Sequence, residues 1–219
     1  PIHMKNNVFT SIIALLVFST AVAQENRLAQ KQPNTAEIYH HIEKLGFLGT
    51  ALYVAAHPDD ENTRLISWLA NDKMARTGYL SLTRGDGGQN LIGPQLREQL
   101  GMIRTQELLE ARYIDGGQQF FTRANDFGYS KHPDETLEIW NEQEVMEDMV
   151  RIIREFQPDV IINRFDHRTP GSTHGHHTAS AMLSMKVFEY AADKTMYAYQ
   201  LKELDTWQAP RVYFNTSWW

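Results

Sequence analysis

Apolar residues recur along this 219-residue chain in two alternating rhythms. Short β-prone runs at 51–55, 78–82, 160–164 and 211–215 predict strands, and 118–122 predicts another short one. Between them the apolar positions return at helical spacing. Ile38, Ile42 and Leu45 mark a helix over 35–45, stopped by Gly46, and Leu65, Ile66 and Leu69 mark one over 62–73. Leu96, Leu100, Ile103, Ala111 and Ile114 predict a long helix over 95–114. Val145, Met149, Ile152, Ile153 and Phe156 end a stretch of one or two helices over 134–156, and 174–192 reads as a last helix. Strands alternating with helices imply βαβ units, hence an α/β fold with a mostly parallel sheet covered on both faces.

The N-terminus has a different rhythm. Lys5 precedes an apolar run over 8–18, and Ala21-Val22-Ala23 then offers a small-residue cleavage pattern. This layout predicts a secretory signal peptide over 4–23, too short for a comfortable membrane span, so export is expected, with no stable membrane span after cleavage. Pro1-Ile2-His3 ahead of Met4 reads as upstream sequence, giving a leader over 1–23. Residues 24–47 read as a polar linker and the first helix, and 48–219 as one folded domain. Trp218-Trp219 is a poor solvent-exposed ending, so either the native chain continues or these rings pack onto the domain.

Composition narrows the picture modestly. Hydrophobic content of 42% and charged content of 22% are those of a globular domain. A net charge of −6 and the lack of a basic run argue against nucleic acid as partner. The chain has no cysteine, which removes thiolate metal sites, cysteine nucleophiles and disulfides.

The chemistry gathers where strands end. Ala56-His57-Pro58-Asp59-Asp60-Glu61 follows the first strand, and in an open α/β sheet that is where ligands bind. His57 and Asp60 are three apart across a turn entering a helix, so both can converge on one ion. Pro58 suits a first helical turn, and Glu61 adds charge that a helix N-terminus favours. Asp59 points elsewhere and could take a proton from bound water. Downstream, Ser172 or Thr173 can cap a helix on which His174 and His177 share a face. One of those histidines can complete a His₂Asp zinc site with an open position, and the other can act as acid or oxyanion donor.

His57-Pro58-Asp59-Asp60-Glu61 after a strand, paired with His174-x-x-His177, resembles the N-acetylglucosaminyl-phosphatidylinositol de-N-acetylases (PIG-L, LmbE-like) over residues 48–215. The resemblance implies a Rossmann-like domain and a zinc-dependent hydrolase that removes acetyl from an N-acetylated amino sugar or GlcNAc conjugate. By motif position, His57, Asp60 and His177 would hold zinc, or another divalent metal. Asp59 would be the general base, and His174 would polarise the amide, stabilise the oxyanion or protonate the leaving amine. Family members often have His-Pro-Asp-His at the second motif, whereas this chain has His174-Gly175-His176-His177, which leaves open whether His176 joins the site. Arg104-Thr105-Gln106-Glu107 resembles the family's R-x-x-E helix, whose arginine can contact substrate; an ordinary i, i+3 pair is the plainer reading. Asp166 matches a common acidic position and is expected to orient a histidine.

Other motifs carry less. The loop Gly85-Asp86-Gly87-Gly88 lacks the third glycine of a dinucleotide fingerprint and reads as a turn shaping the pocket. His132-Pro133-Asp134-Glu135 reads as a helix start, and Asn215-Thr216-Ser217 matches a glycosylation pattern. Two rival readings remain: a zinc amidase or peptidase on another amide, though no His-Glu-x-x-His is present, or a glycan-binding module without catalysis.

Overall fold

The computed structural model describes residues 32–216. The expected signal peptide, most of the linker and the terminal tryptophans lie outside the described residues.

Helix α1 (Thr35–Lys44) opens with a reciprocal cap. Asn34 Oδ1 accepts from the Glu37 N–H at 3.0 Å, and Glu37 returns a carboxylate oxygen to the Asn34 N–H at 2.7 Å. No residue of α1 is buried.

The remaining elements build one sheet. In chain order they are β1 (Thr50–Ala55), α2 (Thr63–Ser67) running into a π-helical turn (Trp68–Asp72), β2 (Arg76–Ser81), α3 (Glu98–Asp115) and β3 (Gln118–Phe121). Then come α4 (Pro133–Trp140), α5 (Glu142–Phe156), β4 (Val160–Asn163), α6 (Gly175–Tyr190), a 3₁₀ turn (Ala198–Lys202) and β5 (Arg211–Phe214). All strands are parallel, in the order β3-β2-β1-β4-β5. Parallel strands are buried on both faces, which is why β1 reads as a near-continuous apolar run. Alternate residues of β1 feed opposite cores. Leu52 and Val54 pack with Val145, Met149, Phe156 and Leu183, and Tyr53 and Ala55 pack with Ile66, Tyr79 and Leu108. The α/β class and the doubly covered parallel sheet expected from the sequence are therefore the observed ones.

The chain runs outward from β1 to β2 and β3, then returns to lay β4 on the other side of β1. The order reverses between β1 and β4, and the loops leaving their C-terminal ends meet over that crevice. Residues 56–61 leave β1 and residues 164–174 leave β4, so the two histidine motifs are brought together by topology.

Several local expectations change. The stretch over 134–156 is two helices, broken at Asn141 in the left-handed region (φ 56°). His132 and Pro133 start α4 as expected, with the His132 side chain accepting from the Asp134 N–H. Neither Ser172 nor Thr173 caps α6; His174 occupies the cap position, with no side-chain cap bond. Pro58 lies in a turn ahead of α2, and Asn62 caps that helix. On α3 the buried stripe runs through Leu100, Leu108, Arg112 and Asp115, while Ile103 and Ile114 face outward. Arg112 and Asp115 can be buried because they neutralise each other, through bonds of 3.0 and 2.5 Å.

Candidate functional site

The site begins in the turn after β1. His57 O accepts from the Tyr79 hydroxyl at 2.5 Å, pinning the turn to β2. The His57 N–H donates to Asp60 Oδ2 at 2.7 Å, and His57 Nδ1 lies 3.2 Å from the same oxygen. Asp60 Oδ1 stands 3.5 Å from His177 Nε2 on the first turn of α6. Arg164, at the end of β4, donates to the Asp60 carbonyl at 3.0 Å, tying the two loops together. Gly85, in the left-handed region (φ 69°), lets the loop after β2 close on the site; a Cβ there would stand 3.1 Å from the Pro58 ring. The glycine loop thus packs on the Pro58 turn, while none of residues 85–88 lines the cavity beside Asp60 and His177.

Among the described residues, two groups of side chains are close enough to hold a metal ion, with donor atoms within 4.8 Å of one another: His57, Asp60 and His177, and His57, His174 and His176. Each group contains one hydrogen-bonded pair, and His57 belongs to both. In the second group His57 Nε2 and His176 Nδ1 lie 3.0 Å apart and satisfy each other, and His176 is fully buried. In the first group His57 Nδ1 and Asp60 Oδ2 lie 3.2 Å apart, the set of two imidazoles and a carboxylate suits zinc, and His177 keeps partial access to solvent. His57 can then ligate through Nδ1 while its Nε2–H is held by His176, the arrangement that fixes a ligating histidine's tautomer. The donor set fits a divalent ion.

Protonation supports the same reading. Burial, reinforced by the neighbouring histidines, lowers His177 to about 4 despite the opposing charge of Asp60, so its ring is neutral and able to ligate at neutral pH. Burial alone would raise the Asp60 carboxyl, but the hydrogen bond and charge of His57 hold it below its usual range.

The other expected residues divide. Asp59 is largely exposed, and its Oδ2 lies 3.2 Å from Arg104 Nη2. Arg104 also donates to the Pro58 carbonyl and lies 3.4 Å from Glu107, so the plain i, i+3 pair exists and the arginine additionally grips the 57–61 turn. His174 packs parallel to His57 with ring centroids 5.2 Å apart. Its Nδ1 stands 3.0 Å from the Ser130 carbonyl and 3.2 Å from the Ser130 N–H, so either neutral tautomer finds a partner on the same residue. Asp166 lines the same cavity as Asp59, Asp60 and His177, but its oxygens are taken by Arg168 at 2.9 Å rather than by a histidine of the cluster. Glu61 turns inward to Arg112 at 3.4 Å instead of serving a helix N-terminus.

His176 is the residue that sequence reasoning left open. It lies parallel to Trp140 and edge-on to Phe127, fully buried, with its Nε2 unpartnered. The segment 126–130 was missed altogether. Phe127 packs on His176, Tyr129 stacks on His174, and Ser130 anchors both His174 and the Gly175 N–H, the latter at 2.8 Å. Gly175 is required there, since a Cβ would collide with Ser130 Oγ. The segment has no motif; its one signal is that it follows a strand at the ligand-binding edge of the sheet.

A family model described as PIG-L: GlcNAc-PI de-N-acetylase matches residues 52–188. Among solved structures, the chain is similar to the N,N'-diacetylchitobiose deacetylase from Pyrococcus horikoshii, with 18% identity, a TM-score of 0.59, and coverage of 82% of this chain and 68% of that one. It is similar to the conserved protein TT1542 from Thermus thermophilus, with 20% identity, a TM-score of 0.53, and coverage of 79% and 69%. It is also similar to GalB, the 4-carboxy-2-hydroxymuconate hydratase from Pseudomonas putida, with 17% identity, a TM-score of 0.55, and coverage of 75% and 64%. At these identities the likeness is one of fold, and a fold hosts more than one chemistry.

Proposed function

This chain belongs to the PIG-L family of GlcNAc-PI de-N-acetylases, and from that premise we propose that it is an exported, metal-dependent hydrolase removing acetyl from an N-acetylated amino sugar or glycoconjugate. The observation that carries the reading is the convergence of His57, Asp60 and His177 on one point, with Asp59 and His174 beside it. The diacetylchitobiose deacetylase of similar fold supports a sugar substrate, and the leader-like segment 4–23 supports export.

His57, Asp60 and His177 would hold the ion, zinc first, which when bound makes water acidic near neutral pH and polarises a carbonyl. The rest falls to the chain's own side chains. Asp59 takes a proton from the water that attacks the acetyl carbon. Arg104, on Asp59 Oδ2 and the Pro58 carbonyl, fixes that carboxylate at the edge of the cavity. His174 donates from Nε2 to the developing oxyanion; in that tautomer its Nδ1 accepts from the Ser130 N–H. When the carbon–nitrogen bond breaks, the amine needs a proton, which His174 or the protonated Asp59 supplies, giving acetate and the free amino sugar. Neutral His176 holds the His57 ring and takes no part in proton transfer.

The test is release of free amine and acetate from N-acetylglucosamine and its oligomers compared with N-acetylated peptides. Faster release from the sugars is expected. Faster release from peptides would make the protein an amidase of another class. Sugar binding that survives a chelator, with no release from any amide, would make it a binding module.

A further inference from the structure

Beside the ion-holding residues, a cavity of about 440 Å³ opens at the C-terminal ends of β4 and β5, lined by Asp59, His177, Phe214 and Asn215 among others. Asn215 belongs neither to the ion-holding set nor to the acid–base pair. The sheet delivers it: its N–H bonds to the Asn163 carbonyl at 2.8 Å, continuing the pairing of β5 with β4.

A chain of hydrogen bonds fixes how its amide is turned. Asn62 caps α2 by accepting from the Leu65 N–H through Oδ1 at 3.1 Å, so its other amide atom is the donor Nδ2. That nitrogen lies 3.2 Å from Asn215, and the atom facing a donor must be Oδ1. The Tyr53 hydroxyl, kept protonated by burial, donates to the same oxygen at 2.9 Å. Both lone pairs of Oδ1 are then used. Among the described residues, Asn215 Nδ2 has only the Thr216 carbonyl at 3.5 Å, beyond a normal N–H···O bond. What Asn215 has left to offer the cavity is an oriented amide N–H₂ on a rigid strand end.

Resting on the de-N-acetylase reading, we propose that this cavity is the subsite for the sugar ring and that Asn215 is its substrate-binding donor, giving a hydrogen bond to a hydroxyl or ring oxygen of a neutral hydroxyl-bearing ring. Phe214, 40% exposed, supplies an apolar wall for the ring's C–H face. Thr169 and Thr173 bring hydroxyls to the same cavity. A site built to hydrogen-bond a substrate hydroxyl discriminates strongly against ligands that lack it.

The experiment compares two neutral ligands by NMR titration of the zinc-loaded full chain carrying Asp59→Asn, so that neither is consumed. N-acetylglucosamine has the ring; acetamide has the acetyl group alone. Adding Asn215→Asp keeps oxygen acceptors for Tyr53 and Asn62 and removes the N–H₂ donor; Asn215→Ala replaces it if that variant does not fold. The expected result is a fall of about tenfold in the preference for N-acetylglucosamine over acetamide. An unchanged preference, or no preference in the protein with Asn215 intact, overturns the subsite. Retained preference in the protein with Asn215 but no amine release from the Asp59-intact chain overturns the deacetylase reading and leaves the subsite standing.

Discussion

His176 stands where the resembled motif has an acidic residue, and burial decides what it can be. Enclosed by Trp140 and Phe127, and flanked by the other site histidines, its pKa falls to about 2. It is neutral at working pH and holds the His57 ring through Nδ1. This predicts how the metal-free protein responds to acid. Below the ordinary histidine value of 6.5, the unfolded chain takes up protons that folded His176 and His177 refuse, so stability falls as pH drops. The loss is at most about 1.4 kcal/mol per pH unit for each ring, continuing toward about 4 for His177 and lower for His176. His57, desolvated yet bonded to Asp60, is shifted the other way; its contribution is present below 6.5 and is lost as pH rises through its raised value. Urea unfolding of zinc-free protein at pH 6.5 and pH 5 should show a lower midpoint at the acid end, and a flat profile would contradict the burial argument. At this scale spacing pointed to His57 and Asp60 converging with one of the downstream histidines, and only the family resemblance singled out His177 over His174. Arg104 on Asp59, Ser130 under His174 and Asn215 beside the cavity were not legible, because each depends on a contact between residues far apart in sequence.

Among the elements, α5 is the clearest product of its sequence. Its apolar positions at helical spacing are buried, Val145, Met149, Ile152, Ile153 and Phe156 alike. Its least obvious member is Arg154, 1% exposed, whose guanidinium donates to the carbonyls of Tyr190, Ala191, Asp193, Met196 and Tyr197. Those carbonyls end α6 and shape the segment after it, so one side chain holds that loop closed. Arg154→Met should cost roughly 3 kcal/mol or more, read as a lower unfolding midpoint, because it leaves buried carbonyls without donors. Gln157 ends α5 in the left-handed region at φ 56°. Gln157→Gly should raise stability by up to about 1 kcal/mol, since glycine adopts that conformation without strain. On α3 the pattern misled: the apolar positions Ile103 and Ile114 are exposed, and the buried face contains Arg112 and Asp115. A pattern scored on hydrophobicity misses an ion pair that is buried because it is paired. The π-helical turn after α2 also left no mark in the periodicity, because Leu65, Ile66 and Leu69 fit a plain helix equally well.

For the whole molecule, strand order matters more than any single contact. The alternation of strands and helices made a parallel α/β sheet legible, but not that β4 would return beside β1; register and order come from packing across the sheet. That return brings Asp60 and His177, far apart in sequence, to 3.5 Å. Binding an ion there joins the β1 and α6 sides of the fold, so zinc should stabilise the whole domain. At about a hundredfold excess over its dissociation constant it would add roughly 2.7 kcal/mol, a melting rise of about 5 to 10 °C. The rise should vanish in Asp60→Ala. Among the described residues no helix is long and apolar enough to cross a membrane. The most direct test of the central claim joins metal content to turnover in one preparation. Bound zinc and free-amine release from N-acetylglucosamine substrates are measured for the wild type and for Asp59→Asn. The account predicts about one metal ion in both proteins, with turnover in the variant reduced roughly a hundredfold or more. Wild-type protein without stoichiometric metal, or a variant that turns over as fast as wild type, would contradict it.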